Sequence, residues 1–215
     1  ARLPLTGRSP AARMDTHNFR LEWTNLSLWR GDSCLQSGLT GSLVSGQALT
    51  LRGPNGSGKT TLLRTLCGLS LPEVGEICWQ GEALHRVRTD YYAHMAYCGH
   101  SNGLKGDLTT RENLGFNSRL RGRHSNQNEL LLALNLTHCA DLPIRNLSAG
   151  QRRRASLALV LASGTELWVL DEPFTNLDHA GCEWLGRRLN THLAMGGMLL
   201  LAAHQGSLLD PARAS

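Results

Sequence analysis

Apolar and polar positions alternate over the first part of the chain, and their spacing becomes helical further on. The alternation covers residues 19–28 and 33–51, with turn residues between them, which predicts antiparallel strands. The apolar run at 166–170 is short and continuous, which is typical of a buried parallel strand. Further strands are predicted at 75–80, 93–98 and 198–203, and helices at 59–69, 149–162 and 178–194.

The middle of the chain, residues 109–136, is mostly polar with helical spacing, which predicts a small helical insert. This insert belongs to a predicted helical subdomain at about residues 101–162. Because strands alternate with helices elsewhere, the pattern favours an α/β core. We expect a single domain over residues 15–215. Residues 1–14 are rich in proline, arginine and small side chains, and we expect a disordered extension with Met14 as the natural start.

Composition narrows the class of protein. Of the 215 residues 41% are hydrophobic, which is enough for a folded core and excludes a disordered chain. The net charge of +5 comes almost wholly from arginine and favours a solvated surface over a binding patch for lipid or nucleic acid. The six cysteines include no Cys-x-x-Cys pair, so we expect reduced thiols. No apolar run approaches the roughly 18 residues of a membrane span, so a link to a membrane would need a partner protein.

A phosphate-binding loop is the first chemical motif. The run GPNGSGKT at residues 53–60 matches G-x-x-x-x-G-K-[ST], follows a predicted strand and opens a predicted helix, which disfavours a chance glycine-rich turn. Its glycines let backbone N–H groups point at phosphate oxygens, and the helix adds its positive end. Lys59 is expected to reach the β- and γ-phosphates and Thr60 to ligate magnesium. The predicted phosphate-binding residues are Gly53, Pro54, Asn55, Gly56, Ser57, Gly58, Lys59, Thr60 and Thr61.

Two carboxylates follow the apolar strand at 166–170. Asp171 would come beside the phosphate loop, where it can hold magnesium directly or through water. Glu172 would project beyond it and orient the attacking water. Paired acids at this point can also be a simple helix cap, but their combination with a phosphate loop favours phosphoryl transfer.

Between these motifs, Leu-Ser-Ala-Gly-Gln at 147–151 resembles the signature of the ABC transporter ATP-binding subunits, which usually has glycine in place of Ala149. The run at 175–178 resembles their D-loop, His204 their switch histidine, and Trp29 their adenine-stacking aromatic, although a core tryptophan and a hydrogen-bonded strand-end histidine remain alternatives. The resemblance covers about residues 19–205. It implies a P-loop NTPase of the ABC ATPase type, with a mixed or parallel core sheet, an antiparallel β subdomain and a small helical subdomain.

The same resemblance implies a homodimer that binds ATP and Mg²⁺ in two composite sites. Lys59 and His204 would contact the γ-phosphate from one subunit. Ser148, Gly150 and Gln151 would complete the site from the other, at a helix N-terminus that is itself an anion receptor. Three arginines follow the signature, and we expect a mostly solvated helix face with one of them bonded across the dimer; they are Arg152, Arg153 and Arg154.

His100 departs from most of the family, which has glutamine there. The surrounding segment, residues 97–114, resembles the CcmA-type ATPases of cytochrome c maturation, the haem exporter ATP-binding family. An imidazole can accept from a magnesium-bound water or donate to phosphate, so His100 is a candidate at the metal. This resemblance implies a cytoplasmic location on the bacterial inner membrane, with a CcmB-like membrane subunit, the haem-handling proteins CcmC, CcmD and CcmE, and ATP-driven release of the haem-loaded chaperone.

Three other functions are weighed against this one. The chain can be the ATPase subunit of another small ABC exporter, which only its membrane partner would distinguish. ABC proteins that act on nucleic acid usually carry two cassettes or long insertions, so a single cassette of 215 residues argues against a nucleic-acid partner. A scaffold that binds ATP without hydrolysing it is disfavoured by the presence of Lys59, Asp171, Glu172 and His204.

Overall fold

The computed structural model describes residues 18–54, 56–99, 103–122 and 126–202. Two four-stranded sheets, six α-helices and two short 3₁₀ helices make up this part of the chain. The extension predicted over residues 1–14 lies outside the described residues.

The first sheet is antiparallel and has the order β2-β1-β4-β5. Its strands are β1 (Arg20–Arg30), β2 (Ser33–Val44), β4 (Val74–Trp79) and β5 (Glu82–Ala83). Strand β4 starts where the backbones approach closely: a Cβ on Gly75 would lie 2.4 Å from the carbonyl oxygen of Thr24, and its φ is 93°. Only glycine fits that position without a backbone shift.

The second sheet is parallel and has the order β3-β8-β7-β6. Its strands are β3 (Ala48–Leu51), β6 (Met95–Cys98), β7 (Leu167–Asp171) and β8 (Met198–Ala202). The prediction that residues 33–51 are all antiparallel is wrong at its end, because β3 leaves the first sheet and pairs in parallel with β8. Alternation within one strand does not reveal which sheet that strand joins.

The helices are α1 (Lys59–Leu66), α2 (Arg88–His94), α3 (Thr110–Arg121), α4 (Gln127–Ala133), α5 (Ala149–Leu161) and α6 (His179–Ala194). Helix α2 was not predicted, and it takes the first two residues of the strand predicted at 93–98. The predicted insert at 109–136 contains two helices. Helix α3 begins at a capping box between Thr109 and Glu112 and ends at Gly122, whose φ of 63° closes it in the left-handed conformation.

Two hydrophobic cores lie on opposite faces of the parallel sheet. Alternate residues of β7 and β8 face each core, so that Leu167 and Val169 pack under the antiparallel sheet and α1, whereas Trp168 and Leu170 pack against α5 and α6. Every residue of these two strands is buried. This explains their continuous apolar sequence, since a central parallel strand has no solvent face.

All six cysteines are free thiols, as the sequence predicts. Within the described ranges, no helix combines the length and the hydropathy that crossing a membrane requires.

Candidate nucleotide-binding site

The site lies at the carboxyl ends of the parallel strands. Strand β3 leads into the phosphate loop and α1, while β7 ends at Asp171. Parallel strands bring their carboxyl ends to the same edge of a sheet, and helix N-termini point there as well. The order β3-β8-β7 therefore sets the loop and the acidic strand end on one edge, with only β8 between them.

The phosphate loop depends on three glycines in the left-handed region. Gly53, Gly56 and Gly58 have φ values of 153°, 82° and 94°. A Cβ on Gly53 would lie 2.9 Å from the Ser57 hydroxyl oxygen, so the loop is also tightly curled there. No side chain in the described part of the chain caps the N-terminus of α1. Its first N–H groups are therefore suited to an anion.

Lys59 bends back over this loop. Its Nζ donates to the carbonyl oxygen of Gly53 at 2.7 Å and to that of Pro54 at 2.9 Å. The ammonium group thus already lies at the loop, held by neutral acceptors. Phosphate oxygens would be stronger acceptors for it, because hydrogen bonds between ionised partners are about twice as strong as neutral ones.

Thr60 and Asp171 meet although they are 111 positions apart in sequence. The Thr60 hydroxyl donates to Asp171 Oδ2 at 2.8 Å, and Asp171 is only 1% exposed. A hydroxyl and a carboxylate are hard oxygen donors of the kind that Mg²⁺ selects, usually together with water and phosphate oxygens. This donor set therefore fits magnesium. Water and phosphate oxygens would complete the shell. Within the described ranges, no group of three or more His, Cys, Asp or Glu side chains suited to a metal occurs.

Glu172 has an unusual backbone. Its φ is 50°, and its N–H donates to the carbonyl oxygen of Ala202 at 2.7 Å. The hydrogen bond ties the residue to the end of β8, while the left-handed conformation turns the chain away from the strand direction. Such conformations cost about 1–3 kcal/mol in a residue other than glycine and often occur at functional sites.

Trp29 lies at the tip of the β1–β2 hairpin and is 38% exposed, so the alternative of a core tryptophan does not hold. It pairs with Cys34. The next residue, Leu35, contacts the phosphate loop, since its side chain would lie 3.4 Å from a Cβ on Gly58. The hairpin therefore approaches the loop through Leu35, and the Trp29 indole is exposed near its tip.

The signature residues begin helix α5. Ser148 is its N-cap, accepting from the Gln151 N–H at 3.2 Å, and the Gln151 side chain accepts from the Ser148 N–H at 2.8 Å. The Gln151 amide nitrogen also lies 3.2 Å from His138 Nε2, a neighbour that the sequence did not indicate. A Cβ on Gly150 would lie 3.8 Å from the Cβ of Asn176 in the D-loop segment. No hydrogen bond between described residues joins this signature to the phosphate loop of the same chain.

The prediction of a mostly solvated arginine face after the signature is wrong. Each of the three guanidinium groups donates to backbone carbonyls of a different segment. Arg152 bonds Leu147 at 2.7 Å and Arg154 bonds Asn176 at 3.0 Å. Arg153 bonds both Gly99 and Asp171. The arginine run is visible in the sequence, but the partners of Arg153 and Arg154 come from other segments of the chain.

The structure therefore brings Lys59, Thr60, Asp171 and Glu172 together and leaves the signature apart from them. Thr61 lies on the first turn of α1 and is partly buried. Three predicted site residues, Asn55, His100 and His204, lie outside the described residues.

Comparison with known proteins agrees with this fold. The family described as ABC transporter matches residues 37–175. The fold is similar to a solved ATP-binding subunit of an ABC transporter, with a TM-score of 0.75 and 26% identity, over 86% of this chain and 79% of the other. The chain belongs to the ABC transporter family, as one of its ATP-binding proteins.

Two relatives show to which group within this family the chain belongs. The chain is 43% identical over 203 residues to the cytochrome c biogenesis ATP-binding export protein CcmA of Nitrosomonas europaea, covering 93% of this chain and 92% of the relative. It is 43% identical over 185 residues to the protein of that name from Escherichia coli K12, covering 86% and 89%. Within the ABC transporter family, the chain belongs to the CcmA proteins.

Proposed function

We propose that this chain is the ATP-binding and ATP-hydrolysing subunit of a membrane ABC complex that acts in c-type cytochrome biogenesis. The observation that carries the ATPase part is the contact of Thr60 with the buried carboxylate of Asp171, directly before Glu172 and beside the glycine-rich loop. The part concerning cytochrome biogenesis rests on membership of the CcmA family.

Nucleotide binding begins with Lys59. The ammonium group leaves the carbonyl oxygens of Gly53 and Pro54 for the β- and γ-phosphates, a short movement because it already lies at the loop. The N–H groups of the loop and of α1 donate to the remaining phosphate oxygens. Thr60 and Asp171 would hold Mg²⁺, which would neutralise charge that develops on the phosphates. Trp29 offers its exposed ring to the adenine.

Hydrolysis needs a positioned water. Glu172 follows the metal carboxylate directly, and its backbone is held in place by the hydrogen bond to Ala202. Its carboxylate orients and polarises the attacking water. His204, just beyond β8, contacts the γ-phosphate, and His100 contacts the metal or its water; both assignments come from the family resemblance.

Each ATP site is completed by a second copy of the chain. No hydrogen bond between described residues joins the N-terminus of α5 to the phosphate loop of its own chain, and a helix N-terminus with a serine N-cap is an anion receptor. Two chains related by a twofold axis would place Ser148, Gly150 and Gln151 of each on the nucleotide of the other.

The membrane subunit binds a groove of about 350 Å³ between β6, α3 and α5. Exposed apolar side chains lie in and around it, where contiguous apolar surface marks an interaction site. They include Leu69 and Tyr92, which are 47% and 36% exposed. The family resemblance supplies the partners: a CcmB-like membrane subunit together with CcmC, CcmD and CcmE, at the cytoplasmic face of the inner membrane. The complex uses ATP to release the haem-loaded chaperone.

The substitution Glu172→Gln tests the ATPase mechanism. The amide cannot act as a base but keeps the shape, so ATP binding and ATP-driven dimerisation are retained while turnover falls by about 100-fold or more. The matched control is Glu183→Gln on the outer face of α6, where the side chain is 50% exposed. Turnover of the Glu172→Gln protein at the wild-type rate would disprove the assigned base.

A co-purification tests the biological role. Tagged Glu172→Gln protein, solubilised gently from membranes of its own host with MgATP, is expected to carry a small permease and haem-handling proteins. An unrelated permease would leave the ATPase mechanism intact and favour another small ABC exporter. Nucleic acid or ribosomal proteins alone would overturn the membrane role.

A further inference from the structure

Arg153 connects three segments of the candidate site. It lies on α5, one turn beyond the signature, and is partly buried. Its Nη1 donates to the carbonyl oxygen of Gly99, and its Nη2 donates to the carbonyl oxygen of Asp171. Gly99 directly follows β6 and precedes the segment with His100, whereas Asp171 is the last residue of β7.

The guanidinium group connects β6 and β7 directly beyond their last paired residues. The last paired residues of β6 and β7 are Cys98 and Leu170, so the carbonyls of Gly99 and Asp171 belong to the next pair. A guanidinium group presents parallel N–H donors in a rigid plane, and one such group can bond both carbonyls together. A lysine ammonium is a point charge on a flexible stem and cannot reproduce this planar clamp.

The clamp lies in a poorly solvated part of the protein. Cys98, the residue before Gly99, is only 1% exposed, and so is Asp171. Few water molecules can therefore replace a lost hydrogen bond there.

We infer that Arg153 is a positioning residue of the metal site: it clamps the ends of β6 and β7 so that the Asp171 carboxylate stays within hydrogen-bond reach of Thr60. This inference rests on the proposed ATPase function. Because Arg153 is part of the helix that begins at Ser148, the clamp also ties the signature, which serves the partner's nucleotide, to the metal carboxylate of its own chain.

The measurement is the dissociation constant of a fluorescent ATP analogue with Mg²⁺ and with EDTA, for wild type and Arg153→Met. Methionine keeps much of the side-chain length but has no donor. The constant with Mg²⁺ is expected to rise about 10-fold, which corresponds to the loss of about one hydrogen bond to a charged group. The constant with EDTA stays within about 2-fold of wild type, because Lys59 and the loop are unaffected.

Arg153→Lys keeps the charge, and its dissociation constant with Mg²⁺ is expected to lie between those of wild type and Arg153→Met. The ammonium group can donate to either carbonyl but lacks the planar fork. This variant also serves if Arg153→Met does not fold. Arg187→Met on α6 is the matched control, since that guanidinium pairs only loosely with Glu183 at 4.0 Å and is 71% exposed.

The possible outcomes distinguish a failure of the Arg153 inference from a failure of the proposed ATPase site. A folded Arg153→Met protein with a lower thermal midpoint but the wild-type ratio of the two constants would mean a merely structural role and would overturn the inference. The inference would also fail if Arg153→Lys, when folded, matched Arg153→Met. If wild-type protein bound the analogue equally well with Mg²⁺ and EDTA, the proposed ATPase site itself would be wrong.

Discussion

The contact between Thr60 and Asp171 gives the sharpest prediction, because one hydroxyl supports both folding and metal binding. Thr60→Val removes that hydroxyl with little change in shape or helix propensity. Asp171 is 1% exposed, so water cannot readily replace the lost donor at Oδ2. A hydrogen bond to a charged group contributes about 1.5–3 kcal/mol. The free energy of unfolding of the nucleotide-free protein should fall by about that amount.

The effect on nucleotide binding follows from the same atom. The Thr60 oxygen is proposed to ligate Mg²⁺, while its hydrogen continues to bond Asp171. Its loss should therefore raise the dissociation constant of MgATP by at least the factor equivalent to 1.5–3 kcal/mol, roughly 10- to 150-fold. Binding of ATP in EDTA should change little, because Lys59 and the loop glycines do not depend on this hydroxyl.

Two assays on three proteins suffice. Urea unfolding followed by tryptophan fluorescence gives the change in stability. Calorimetric titration with ATP, in Mg²⁺ and then in EDTA, gives the change in binding. Thr60→Ser is the matched control, because it keeps the hydroxyl. Its dissociation constant for MgATP should remain within about 3-fold of the wild-type value. Wild-type Mg²⁺ dependence in Thr60→Val would show that this hydroxyl has no part in holding the metal.

Two further predictions concern a helix cap and a buried histidine. Ser148→Ala and Thr109→Ala remove equivalent capping boxes from α5 and α3, so each should cost about 1 kcal/mol of stability, but only Ser148→Ala should abolish ATP-driven dimerisation on size-exclusion chromatography. Equal effects on dimerisation would remove the special role of the signature serine. Burial lowers the pKa of His192, which stacks on Trp168, to about 4 from its usual 6.5. Because the unfolded chain binds the proton first, stability should fall by up to roughly 3 kcal/mol as pH drops from about 6.5 to about 4. Urea titrations should show this loss of unfolding free energy in wild type and a smaller loss in His192→Phe. Equal losses in the two proteins would mean that other groups cause the effect.

Sequence alone identified the motifs that act locally. The phosphate loop at 53–60 is recognisable because its chemistry needs glycines at positions of positive φ, directly before a helix N-terminus. The strand ending at Asp171 is recognisable because a strand buried on both faces must be apolar throughout. The start of α5 was predicted at the signature, and the structure closes it with a capping box between Ser148 and Gln151 that spans only four positions.

Tertiary structure decided which distant groups meet. Strand β3 alternates like its antiparallel neighbours, and only the register with β8 shows that it lies in the parallel sheet. The bond from Thr60 to Asp171 exists because β3 and β7 end at one edge of that sheet. In sequence, Arg153 resembles a surface residue, because guanidinium groups are usually solvated. Its role depends on two backbone carbonyls that only the folded chain brings within reach. Local patterns report backbone conformation and burial, whereas pairings across tens of residues depend on the order in which strands assemble.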